Sequence, residues 1–266
     1  MSQNKAYIEM QNIIKSGETP MHLLRIAAHL RSQELEKDLQ RICKNRIVDG
    51  LFKGVISPEK AYSSVMCPKL LGTYEAEIAA ELMVLLQKTR CFLDIGCAEG
   101  YYTTGVAVKS DVDQVIGVDI DPAALAAATQ SAAANAVDHK CTFFADLDQA
   151  MAAVIADPLI MIDVDGDELA VLDQVCHGVQ KRQFQKATLI IETDFGADGA
   201  PNTDLIVAAL KANQFTIDKI VEQDVARRFS KLSKSLTRSF LDQVLLGMEG
   251  RPNNQCWIIA SLEGCS

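Results

Sequence analysis

Two stretches of this chain gather residue types that can do chemistry. FLDIGCAEGYY, residues 92–102, ends an apolar run on Asp94 and then sets Gly96 and Gly100 four positions apart. IDVDGDE, residues 162–168, closes a second apolar run with Asp163, Asp165, Asp167 and Glu168. A strand that ends in a glycine turn and opens a helix leaves free backbone N–H groups, which can receive a nucleotide or another polar ligand. Acids gathered at a strand end can take a proton, hold a cation or cap the next helix.

Spacing discriminates among ligands. The dinucleotide fingerprint, counted from Gly96, needs a glycine two residues on and a small residue five residues on. Ala98 and Tyr101 stand there, and a tyrosine obstructs the close helix-to-strand packing that the third glycine permits, so an NAD reading is weakened. No Gly-Lys-Ser/Thr follows Gly96, so a P-loop fails too. An EF-hand counted from Asp163 would place glycine at its sixth position and glutamate at its twelfth; Glu168 and Gln174 stand there instead. VIGVDIDP carries Asp119 at the end of the next apolar run, where a carboxylate can accept both hydroxyls of a ribose, in NAD or in another nucleoside.

Such residues need a scaffold that brings strand ends together. From Cys91 onward, the runs CFLDI, QVIGV, CTFFA, LIMID and ATLIIE alternate with helix-like segments, and FTIDKIV and CWIIASL follow. That alternation predicts an α/β chain with a parallel sheet covered on both faces. Asp121 and Pro122 suit the start of the alanine-rich helix after DIDP, and NTDLIVAALKANQ reads as a later helix. The carboxyl edge of such a sheet is where ligands sit.

The first 88 residues lack this alternation. Thr19 and Pro20 mark a helix start, a second helix is expected from Glu75 through Leu86, and the whole reads as a helical cap or dimerisation region ahead of a core over residues 89–266. Within that core, residues 227–240 carry five basic residues in a chain of net charge −9, marking an insertion at about 224–250 that is either a solvated face or a flap meeting an anionic substrate. LLGMEGRPNNQCWIIA reads as extended structure broken by a turn over residues 250–254.

Composition bounds the rest. Hydrophobic residues form 48% of the 266, enough for a sizeable core, and the acidic balance argues against a general nucleic-acid binder. With no apolar run long enough for a bilayer and no apolar signal segment, the chain reads as cytoplasmic and without membrane partners. Its eight cysteines show no CxxC pair and read as reduced and structural, and His22, His29, His139 and His177 form no visible cluster.

The arrangement Asp94-x-Gly96-x-x-x-Gly100 resembles the first motif of class I S-adenosylmethionine (SAM) dependent methyltransferases. The resemblance implies a Rossmann-like, seven-stranded, mostly parallel sheet, here with an N-terminal helical cap. It implies that Asp94 orients the amino group of SAM and that Gly96, Cys97, Ala98, Glu99 and Gly100 run along its methionine end. It further implies Asp119 at the ribose, Ile120 among the cofactor-binding residues, Asp146 and Leu147 at the adenine, and Asp163 beside the transferable methyl. Tyr74, in KLLGTYEAE, falls where many methyltransferases fold a segment over SAM.

IDVDGDELAVL followed by TLIIETD is similar to the FkbM-like methyltransferases, matching at Asp163, Gly166, Glu168 and Glu192, with Asp165 in place of a glutamate; the similarity covers about residues 70–195. It implies O-methylation of a small-molecule or sugar-type hydroxyl, with Asp163, Asp165, Glu168 and Glu192 as the catalytic acids. One of them would act as a base, or Asp163 or Asp165 with Glu192 or Asp194 would hold a divalent metal that lowers the hydroxyl pKa. A small-molecule acceptor and a homodimer through the N-terminal helices are the expected partners. The competing readings are an NAD(P)-dependent oxidoreductase and a catalytically silent SAM-binding interaction module.

Overall fold

A computed structural model describes residues 3–17, 20–62, 64–182, 184, 186–195, 199–229, 233–237, 239–251 and 255–263. Its centre is a seven-stranded sheet of β1 (Cys91–Ile95), β2 (Gln114–Val118), β3 (Cys141–Phe144), β4 (Pro158–Ile162), β5 (Lys186–Glu192), β6 (Thr216–Glu222) and β7 (Cys256–Glu263). The order is β3-β2-β1-β4-β5-β7-β6, with β7 antiparallel to both neighbours and the other pairings parallel. The chain builds outward from β1 to β3, then returns to the other side of β1 with β4. The sheet's switch point therefore lies between β1 and β4, where a crevice opens at the strand ends.

The helices are α1 (Gln3–Ser16), α2 (Pro20–Cys43), α3 (Met66–Leu71), α4 (Ala79–Leu86), α5 (Tyr101–Lys109), α6 (Pro122–Ala134), α7 (Leu147–Ala153), α8 (Glu168–Arg182), α9 (Thr203–Ala212), α10 (Ser233–Leu236) and α11 (Phe240–Gly247). Successive strand residues face opposite sides, so CFLDI can be apolar throughout and wholly buried. Leu93 and Ile95 join Ile160, Ile162 and Leu189 beneath α7, α8 and α9, while Phe92 joins Val115, Leu159 and Trp257 on the other face. On α6, Asp121 accepts a hydrogen bond from the Ala123 N–H and Pro122 opens the helix, as expected from DIDP.

The N-terminal region divides in two. Ile47, Phe52, Ile78 and Leu82 share one core with Phe92 and Val115, so the segments 47–55 and 74–86 complete a face of the sheet. Leu35 and Leu39 of α2 pack instead with Leu70 and Leu71 of α3 and with Leu245 and Leu246 of α11. The expected extended conformation at residues 245–247 is thus replaced by a helix, because both leucines are buried against α2. The helix expected from Glu75 starts only at Ala79, since Glu75 has a left-handed backbone (φ +48°) and a buried side chain. Thr19, part of the basic insertion (residues 230–232 and 238), the end of the expected 250–254 turn (residues 252–254) and Cys265 lie outside the described residues.

Candidate active site

The glycine turn is held from three strands. Gly96 and Cys97 donate N–H hydrogen bonds to the Val118 carbonyl at 2.8 and 2.9 Å, and the Asp163 N–H donates to the Ile95 carbonyl at 2.9 Å. Gly96 has φ +88°, and a Cβ there would lie 1.7 Å from the Asp163 carbonyl oxygen. The close approach that requires glycine is therefore between the ends of β1 and β4. Asp94, 2% exposed, accepts from the Thr103 N–H at 3.1 Å and so ties β1 to the first turn of α5. Burial, then the nearby Asp163, pushes its carboxyl well above the usual carboxylate range.

Around this turn lies a cavity of about 910 Å³, large enough for a nucleoside cofactor with space for an acceptor. Tyr74, Asp94, Gly96, Cys97, Ala98, Asp119, Ile120, Asp146, Leu147 and Asp163 all line it. Asp119 accepts from the Ala98 N–H at 2.8 Å through one oxygen and from the Asp121 N–H at 2.9 Å through the other. A carboxylate has about four acceptor positions, so both oxygens retain capacity for ribose hydroxyls. Asp146 accepts from the Gln149 N–H at 2.8 Å, capping α7. Ile120 is 90% exposed beside it, an apolar surface where a base can rest.

Two expected cofactor contacts lie outside the lining. Glu99 is buried in an ion pair with Lys69 and accepts from the Tyr62 N–H at 2.9 Å. Gly100 opens α5 at φ +84°, where a Cβ would meet Ala128 of α6 at 3.1 Å. Its glycine serves helix packing.

The expected catalytic acids fall into two groups. Asp163 is half-buried, and burial raises its pKa against the opposing Arg251 and Lys69; Asp165 is exposed at φ +47°, and partial desolvation with the neighbouring Asp163 and Asp194 raises its carboxyl. Glu168 is buried and accepts from the Gly166 N–H at 2.7 Å and from Asn202 Nδ2 at 2.8 Å, which fixes the loop in front of α8. Glu192 pairs with Arg251. The same guanidinium pairs with Glu75 and Glu249 and donates to the Tyr74 hydroxyl at 3.0 Å. Tyr102 donates to Glu75, and Arg228 donates to Glu77 at 2.8 Å, extending the network behind the cavity.

Among the described residues, no three His, Cys, Asp or Glu side chains converge to hold a metal. The charge held by Glu192 is met by Arg251, which leaves Asp194 as the β5-end acid of the expected set, lining the cavity with Asp163 and Asp165. Arg251, Lys69 and Glu249 line the cavity although nothing in the sequence pattern singles them out. They come from outside the strand ends, Lys69 from α3 and the other two from residues 249–251.

Residues 86–195 match the family model described as a methyltransferase domain. The ribosomal protein L11 methyltransferase of Aliivibrio fischeri (strain MJ11) is 30% identical over 142 residues, 53% of this chain and 45% of that one. The chain thus spans about half the length of the curated relatives it matches. Among solved structures, the ribosomal protein L11 methylase from Lactobacillus delbrueckii subsp. bulgaricus aligns with a TM-score of 0.44 and 15% identity over 68% of this chain and 76% of that one. An RNA methyltransferase from Salinibacter ruber, in complex with S-adenosyl-L-homocysteine, aligns at 0.41 and 12% over 70% and 91%.

With the sheet order and the glycine turn, the family match makes residues 86–195 a class I SAM-dependent methyltransferase domain, and SAM its cofactor. The NAD(P) reading falls with it. The expected small-molecule acceptor is overturned as well, because the curated relatives are named for a ribosomal protein.

Proposed function

We propose that this chain transfers the methyl group of SAM to an amino nitrogen of a protein. The observation that carries this reading is the charge of the cavity: ten carboxyl groups line it against two cations, Lys69 and Arg251. Several of those acids, Asp163, Asp165, Asp167, Asp194 and Glu249 among them, lie on the side of the β4 and β5 ends. A cationic acceptor is drawn to such a site. An alkylammonium, with an ordinary pKa of about 10.4, must lose a proton before its nitrogen can attack. In this reading Asp163, its carboxyl raised by burial, would take the proton, and the exposed Asp165 would help hold the ammonium. The name of the curated relatives supports a protein acceptor.

When bound, SAM supplies an electrophilic methyl on a sulfonium. Asp119 would hold its ribose, Ile120 and Leu147 would flank the base, and Asp94 would face the methionine end. The Glu249–Arg251 segment follows directly from α11, so the layer of α2, α3 and α11 adjoins the cavity. We place the acceptor's approach there. The narrower FkbM-like reading, with oxygen as the acceptor, rests on four matched positions. Glu168 and Glu192 are two of them, and both have structural partners, which leaves Asp163 and Asp165 as the matched-segment acids open to an acceptor.

The test is methyl transfer from labelled SAM into a fractionated cell extract, followed by protease or ribonuclease digestion. Protease-sensitive label recovered as an N-methylated amino acid is expected. Label lost with ribonuclease overturns the protein acceptor. Tight SAM binding with no labelled component favours a silent binding module.

A further inference from the structure

We infer that Lys69 binds the carboxylate at the methionine end of the cofactor; this rests on reading the cavity as a SAM site. That end of SAM carries both an ammonium and a carboxylate. The acids of the cavity suit the ammonium, but a carboxylate placed among ten carboxyl groups needs a cation or it carries an unmet desolvation cost. Among the described residues, the lining offers only Lys69 and Arg251. Arg251 is already taken by Glu75, Glu192 and Glu249.

Lys69 differs. It is 3% exposed on α3, and its ammonium donates to Ser64 Oγ at 2.7 Å and to Glu99. An ammonium has three donors, so among the described residues one N–H remains. Glu99 also accepts from the Tyr62 N–H, which spreads its charge. Nζ lies 4.7 Å from the centre of the Tyr74 ring and 5.3 Å from that of Tyr101, and all three residues line the cavity. The remaining N–H therefore belongs to a buried cation at the wall of the cofactor cavity, next to the segment that carries Tyr74. By this route α3, an element of the N-terminal region, takes part in cofactor selection.

The test compares the dissociation constants of S-adenosylhomocysteine and S-adenosyl-3-thiopropylamine, which lacks only the carboxylate, by calorimetry. The unaltered protein should prefer the carboxylate-bearing ligand by about 10- to 100-fold, the range for a charge-assisted hydrogen bond. The double variant K69M/E99Q removes both charges of the buried pair at similar volume and should bring the ratio to about one, with affinity for the decarboxylated ligand unchanged; K69R should restore most of the preference. Equal loss for both ligands in the double variant makes Lys69 a structural pillar and overturns the inference. A ratio near one in the unaltered protein overturns it too, even should the variant fail to fold. Binding of neither ligand by the unaltered protein sinks the SAM reading itself.

Discussion

Replacing Gly96 by alanine tests whether the glycine turn is required for the approach of β1 to β4. Two costs arise. The first is conformational: at φ +88° a non-glycine residue is disfavoured by about 1–2 kcal/mol. The second is steric: the new Cβ would lie 1.7 Å from the Asp163 carbonyl oxygen and 2.7 Å from its carbon, both backbone atoms that cannot rotate away. Relieving that contact moves a packed strand end, typically about 1–3 kcal/mol more. Gly166 supplies the control, since at φ +104° a Cβ there meets nothing within 4 Å. G166A should therefore lose only the conformational part, and G96A should be less stable than G166A by the steric part. Chemical denaturation measures both, and calorimetry with SAM should show G96A losing at least tenfold in affinity because Asp94, the turn and Asp163 separate. If G96A and G166A are equally stable and G96A binds SAM normally, the strand approach is not what the glycine serves.

Other perturbations address the site's charges. D119N keeps the shape of the side chain but loses its charge and turns one of its two acceptor oxygens into a donor, so SAM affinity should fall about 10- to 100-fold; calorimetry checks it, and unchanged affinity would move the ribose elsewhere. Glu249 is raised from its ordinary 4.5 to about 8, first by burial. Because the folded form then binds more protons than the unfolded form, stability should fall as pH rises from about 4.5 to 8. Denaturant titrations across that range should show the decline, and E249Q should flatten it; the same slope in the variant would assign the decline to other acids. R251M strands Glu75, Glu192 and Glu249 without their cation and should cost about 3–5 kcal/mol, an effect that lessens at low pH as those carboxylates protonate; full stability at pH 8 would show that Arg251 does not hold the network.

Much of the sheet is legible in the chain. Runs such as CFLDI and QVIGV are apolar without alternation because each strand is covered on both faces, so hydrophobicity locates them well. The motif acids are legible for the same reason, since Asp94, Asp119 and Asp163 stand where apolar runs stop. Their partners are not. Glu99 follows the turn in sequence yet faces Lys69 and Tyr62, and Glu192 ends β5 yet faces Arg251, because ion pairing depends on segments 30 and 59 residues away. Nor does the sequence reveal that Leu245 and Leu246 form a helix: their burial depends on Leu35 and Leu39, at the other end of the chain.

The hidden partners also explain how a site with so many acids holds together. A cluster of carboxylates behind a cavity is unstable unless each charge is paired or protonated. Arg251 meets three of them, Arg228 meets Glu77 and lies 3.4 Å from Glu249, and Lys69 meets Glu99. All three cations come from outside the strand ends, from α3 and from the stretch between β6 and β7. The charge balance of the site therefore requires α3 and the segments that carry Arg228 and Arg251 to be docked. Disturbing the α2–α11 contact, for example with L39A, should weaken SAM binding as well as stability, although Leu39 lines no part of the cavity. A loss of stability without any change in SAM affinity would instead mean that the cations hold their places independently of that helical layer.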